Sequence, residues 1–111
     1  MSKNLKDCFR DLEFVSKIKC VKTRQQLLKY LSHNPKVYLA LKEIAANLIK
    51  GNIDIHPKHK SKLRKHKKDI CSLANQKYKI LAKKRKKLVV QNGGWLWAIP
   101  IIASAIIDLI K

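Results

Sequence analysis

Asn34-Pro35-Lys36-Val37-Tyr38-Leu39-Ala40-Leu41-Lys42-Glu43-Ile44-Ala45-Ala46-Asn47-Leu48-Ile49-Lys50-Gly51 is the stretch that decides the fold. Asn34 ahead of Pro35 reads as an N-cap with a proline at the first helical position, where the missing amide breaks no hydrogen bond. Val37, Leu41, Ile44, Ala45, Leu48 and Ile49 then recur at three and four and form one apolar stripe. Gly51 follows as the residue just past the last turn, where a left-handed backbone is easiest without a Cβ. The pattern predicts a helix with one face for a core.

Toward the N-terminus, Leu5, Cys8, Phe9, Leu12, Val15 and Ile18 keep the same spacing with charges between them, predicting an amphipathic helix. Thr23 and Gln26 have the spacing of a capping box, opening a second helix through Leu27, Leu28, Tyr30 and Leu31. Toward the C-terminus, Asn52 to His56 is a short connection, and Pro57 begins a helix whose apolar positions thin to Leu63, Ile70, Leu73 and Ala74. A turn is expected around Asn75 to Tyr78. A further helix then carries Ile80, Leu81, Leu88 and Val89, interrupted by Lys83-Lys84-Arg85-Lys86-Lys87. Asn92-Gly93-Gly94 marks a break, and Trp95 to Ile110 is almost wholly apolar.

The expected fold class is all-α: a small bundle of five or six short helices, with a basic helical segment and an apolar C-terminal helix. No repeat at solenoid periods is present. At 111 residues the chain has room for one modest core, and its 46% hydrophobic content permits folding. Three parts are expected: a helical body over 1–56, a basic DNA-binding segment over 57–92, and a Gly-Gly hinge with an apolar tail over 93–111.

The formal charge of +19 dominates the composition. It opposes compaction and concentrates any polyanion near the surface. Residues 1–56 hold 11 Lys/Arg and 5 Asp/Glu, whereas residues 57–94 hold 14 Lys/Arg against Asp69 alone. The tail carries one of each sign. The candidate DNA-binding residues are Lys58, Lys60, Lys62, Arg64, Lys65, Lys67 and Lys68, then Lys77 and Lys79, then Lys83, Lys84, Arg85, Lys86 and Lys87.

Like charges four apart on one helix repel, and phosphates would relieve that repulsion. Each neutralised phosphate releases counterions, so the expected affinity falls steeply with salt. Lysine outnumbers arginine heavily and acts as a point charge. Side-chain sets placed to read base edges are not evident, so the expected partner is duplex DNA gripped by its backbone without sequence preference. Lys83 to Lys87 also has the composition of a nuclear localisation signal. The plain alternative for such a charge run is a solvated face.

Catalysis and cofactors are not expected. Seven acids, no paired carboxylates, no Gly-rich phosphate loop and no nucleophile signature leave nothing from which to build an active site. His56, His59, His66 and Cys71 have spacings that match no common zinc pattern. Cys8, Cys20 and Cys71 are odd in number and widely spaced, which predicts reduced thiols and a reducing site of synthesis. The N-terminus lacks the apolar run of a secretory signal.

The tail leaves three readings open. It is marginally too short to span a bilayer, yet Trp95 and Trp97 at one end suit a membrane interface, with Ile99, Ile102 and Ile106 behind them. It could equally cover a core or an oligomer contact, including a homo-oligomer. It could also be a docking segment removed after assembly.

The stretch Lys83-Lys84-Arg85-Lys86-Lys87-Leu88-Val89-Val90-Gln91-Asn92-Gly93-Gly94-Trp95-Leu96-Trp97-Ala98-Ile99-Pro100-Ile101-Ile102-Ala103 resembles the precursor of adenovirus core protein X, also called mu. That family joins a very basic body to Gly-Gly and an apolar, proline-containing tail. The whole chain also resembles proteins of Maverick/Polinton-type elements and adenovirus-like animal viruses, which share a helical body, a stretch like Asn52-Ile53-Asp54-Ile55, a lysine-rich helix and a Gly-Gly-aromatic tail. The resemblance implies a DNA-condensing protein of the virion core, present in the host nucleus during assembly. It further implies cleavage by the viral cysteine protease after Gly94, with Gly93 and Gly94 as the recognised pair. Gln91 departs from the Met, Leu or Ile more usual at that position, and the family's arginine-rich body lacks a folded portion like residues 1–50. A capsid-lining role, with the helical body against an acidic viral coat protein, is a third expectation beside DNA condensation and membrane activity.

Overall fold

The computed structural model describes residues 3–51, 55–77, 79–99 and 101–102. Asn52, Ile53, Asp54, Tyr78, Pro100 and everything from residue 103 on, Ile106 included, lie outside the described residues, as does the Leu5 side chain. Six α-helices follow one another: α1 (Lys3–Ser16), α2 (Val21–Leu31), α3 (Pro35–Lys50), α4 (Pro57–Leu63), α5 (Lys67–Ala74) and α6 (Ala82–Gln91). A 3-10 turn over Arg64–His66 joins α4 to α5, and a second 3-10 stretch, Asn92–Ala98, follows α6. There is no strand among the described residues, and the fold is all-α.

The central helix is α3, packed between α1 and α5, with α6 lying across α2 and α3. Its ends form as the sequence predicts. The Asn34 side chain accepts a hydrogen bond from the Lys36 amide at 3.0 Å, Pro35 occupies the first turn, and Gly51 closes the helix at φ 69° and ψ 22°. Val37, Leu41, Ile44 and Ala45 are fully buried, whereas Ile49, at the end of the predicted stripe, is 48% exposed. Cys8, Leu12 and Val15 of α1 complete the opposite wall of the core.

The start of α2 differs from the predicted capping box. The N-cap is Cys20, Thr23 lies inside the first turn, and no side chain caps the helix. A cap contributes only about 1 kcal/mol, too little to set a boundary against packing of Leu28, which is buried in the core. Tyr30, counted with the apolar face, is 73% exposed.

Pro57 opens α4 as predicted, with His56 as N-cap accepting from the Lys58 amide through Nδ1 at 3.1 Å. The lysine-rich helix is interrupted by its 3-10 turn, yet Leu63, Ile70 and Leu73 all reach the core. The Lys83–Lys87 run, by contrast, does not interrupt α6, which is continuous through it.

Past α6 the structure departs most from expectation. Gly93-Gly94 is no open hinge but part of an ordered 3-10 stretch, kinked at Trp95 (φ −111°, ψ 16°). Trp95 is wholly buried, and Ala98, Ile99 and Ile102 join the same core. Asn92 makes this turn. Its buried side chain donates from Nδ2 to the Leu88 carbonyl at 2.8 Å and accepts from the Trp95 indole at 2.7 Å. The Asn92–Ala98 stretch touches α1, α2, α4 and α6. The radius of gyration, 12.8 Å, is close to the roughly 13 Å of a folded chain this size. The basic segment therefore folds with the body rather than trailing from it.

Candidate nucleic-acid interface

Thirteen of the fourteen candidate cations point into solvent. Lys58, Lys60 and Lys62 stand on α4, Arg64 and Lys65 on the 3-10 turn, and Lys67 and Lys68 at the start of α5. Lys77 and Lys79 lie in the following loop, and Lys83, Lys84, Lys86 and Lys87 on α6. Each helix carries its lysines on the face left over after its leucines and isoleucines enter the core. Burial of Leu63, Ile70, Leu73, Leu88 and Val89 thus holds the charged faces outward.

Arg85 is the exception. Its guanidinium reaches back to the C-terminal end of α2, donating from Nε to the Ser32 carbonyl at 2.9 Å and from a terminal nitrogen to the His33 carbonyl at 3.3 Å. A cation there satisfies carbonyls the helix leaves unpaired and complements its dipole. Arg85 is half-buried and committed to the fold. Nothing in the run Lys83–Lys87 marks it, since the signal is a partner about fifty positions away.

The other thirteen have no carboxylate partner among the described residues. Lys17–Glu13 at 3.2 Å and Lys36–Asp7 at 3.3 Å are ion pairs of the body, outside the basic segment. Asp69, the single acid of that segment, accepts from Gln91 Nε2 at 2.9 Å. That bond ties the start of α5 to the end of α6 and brings the two lysine-bearing elements together there.

The tail residues proposed for membrane or docking contact have other surroundings. Trp95, Ile99 and Ile102 are core residues. Trp97 is half-buried, its ring 5.9 Å from that of His59 and 5.7 Å from the Lys62 ammonium. His59 in turn meets His56 edge-on at 6.2 Å, and its buried Nδ1 has no hydrogen-bond partner among the described residues. Sequence spacing gave no hint of this contact between α4 and the tail. No helix among the described residues is long and apolar enough to cross a membrane.

The implied cleavage pair lies in this folded turn, with Gly94 at its exposed side. Gly93 is buried, and a Cβ on Gly94 would come within 3.0 Å of the His66 ring. A protease binds its substrate extended, so a cut here requires this turn to open first.

All three cysteines are free. Burial, with Asp11 and Asp7 nearby, pushes the Cys8 thiol up, whereas the Thr23 hydroxyl and amide hold that of exposed Cys20 below its ordinary value. Among the described residues no three His, Cys, Asp or Glu side chains gather as metal ligands would. Compared with known protein families, curated proteins and solved structures, the chain matches none.

Proposed function

We propose that this protein binds duplex DNA without sequence preference and condenses it by neutralising phosphates. The observation that carries the reading is the set of thirteen exposed cations with no carboxylate partner among the described residues. Solubility alone does not call for so many charges without a carboxylate partner within one thirty-residue segment. Duplex DNA carries one charge per about 1.7 Å, so the 32 Å long axis of the protein spans roughly 19 phosphate charges. The thirteen exposed cations of the basic segment could offset a large share of that charge, lowering the repulsion that keeps duplexes apart.

Lysines on helix faces contact phosphates singly and set no register with base edges. The virion core and the host nucleus as places of action follow from the resemblance to the core protein X precursor, and processing after Gly94 belongs to the same proposal. A membrane-facing role would first need Trp95, Ile99 and Ile102 to leave the core.

A salt titration of binding to random duplex tests the reading. With six to ten phosphates contacted, affinity should fall about 10³–10⁵-fold between 50 and 200 mM salt. Binding that hardly changes over that range, or that prefers one sequence strongly, would overturn it.

A further inference from the structure

A groove of about 600 Å³ opens where the C-terminal end of α3 meets α4, the 3-10 turn and α5. DNA binding does not account for it. Its apolar lining is Leu48, Ile49, Ile55, Leu63 and Ile70. Ile49 is 48% exposed, whereas Ile55 (6%), Leu63 (7%) and Ile70 (5%) are core residues that keep a small exposed edge. Lys60, Arg64 and Lys67 line the groove too, with Cys71 next in line. These four are spaced four, three and four residues apart, so they form one row on the helical run.

A duplex has no use for a concave apolar floor, because proteins place apolar side chains against DNA as protruding wedges. A single-chain amphiphile would fill the floor but meet one cation with its one head. Three cations in a row along an apolar trough match a partner that repeats acids along its length beside an apolar stripe. A second copy of this chain does not supply that. Helix α1, which carries Asp7, Asp11 and Glu13, spends Cys8, Leu12 and Val15 on its own core, and two bodies of +19 repel.

We infer that this groove docks an acidic amphipathic helix of a partner protein, its apolar face on Ile49, Leu63 and Ile70 and its acids on Lys60, Arg64 and Lys67. The mode is a helix laid in a groove, read by anchors three and four residues apart. The row from Lys60 to Cys71 runs roughly 17 Å, so a helix of about three turns suffices. Because Lys60, Arg64 and Lys67 also belong to the proposed DNA surface, the partner and DNA would exclude each other there.

The test uses the full-length protein and a labelled peptide of about 15 residues, with leucines at helical spacing and glutamates one position round the helix. A scrambled isomer has the same charge and no apolar face. Fluorescence anisotropy should give the amphipathic peptide at least about tenfold tighter binding than the isomer. It should also slow alkylation of Cys71 and leave Cys20, outside the groove, unchanged. Ile49→Glu, a change at an exposed position, should bring the two peptides level while leaving affinity for random duplex within a factor of about two. Equal binding of the isomers to the unaltered protein, or no shielding of Cys71, would overturn the inference. Shielding of Cys71 by dodecanoate but not by the peptide would overturn it too, and make the occupant an amphiphile. Failure of DNA binding would show separately in the duplex arm.

Discussion

Asn92 shows how much one side chain decides here. Its amide nitrogen donates to the Leu88 carbonyl at the end of α6 and its oxygen accepts from the buried Trp95 indole N–H, so both ends of the side chain are used. Asn92→Ala leaves that indole N–H buried and unpaired, a loss of about 1–3 kcal/mol. Thermal unfolding followed by tryptophan fluorescence should show the drop, and an unchanged midpoint would remove Asn92 from this role. Cys20 gives a second test at this scale. It stands exposed at the N-cap of α2 in extended backbone (φ −73°, ψ 114°). Hydrogen bonding from the Thr23 hydroxyl and then its amide favours the thiolate and lowers the pKa. Cys20 should alkylate faster than Cys8 near neutral pH, with a midpoint below the ordinary cysteine value, and Thr23→Val should raise that midpoint. The sign is that of an acid held ionised: any stability it lends is present at alkaline pH and is lost as pH falls through the lowered value.

At the scale of elements, α6 divides its cations between two tasks. Arg85 fastens α6 to the end of α2, while Lys83, Lys84, Lys86 and Lys87 face solvent. Arg85→Gln should cost about 1.5–3 kcal/mol, the range for hydrogen bonds to charged groups. Lys83→Gln should alter stability by no more than about 0.5 kcal/mol, yet reduce the slope of log affinity against log salt by about 0.9 if it meets a phosphate. Denaturant melts and salt titrations of the two variants separate the roles, and equal effects on both measurements would refute the division. The same helix marks the limit of what a sequence pattern holds. The ends of α3 were legible because Asn34, Pro35 and Gly51 act on backbone within a turn of themselves. The outward lysines were legible too, since the spacing of Leu63, Ile70 and Leu73 leaves them no other face. The structural task of Arg85, the seat of Trp97 on His59 and the approach of Gly94 to His66 depend on elements far apart in the chain. No local periodicity records them. Thr23 and Gln26 failed as a cap signal because a cap is weak beside burial of Leu28.

For the whole molecule the decisive matter is where the core ends. A basic segment followed by Gly-Gly and an apolar run reads as three separable parts, but Trp95, Ile99 and Ile102 lie in the core with Leu12, Leu28 and Leu41. Full burial of one large apolar side chain contributes about 1.5–3 kcal/mol, so these three together supply roughly 5–9 kcal/mol. A domain of this kind holds about 5–15 kcal/mol in all. A chain ending at Gly94 should therefore lose cooperative thermal unfolding by circular dichroism, whereas the full chain melts in one transition. DNA binding should respond differently. The thirteen exposed cations all precede Gly94, and attraction to phosphate needs their charge more than their fixed placement. The shortened chain should thus retain a steep salt dependence on random duplex although its fold is lost. Cooperative melting of the chain that ends at Gly94 would mean that the apolar tail is dispensable to the core and free for another partner. Loss of duplex binding together with the fold would mean that the helices have to hold the lysines in place for phosphate neutralisation to occur.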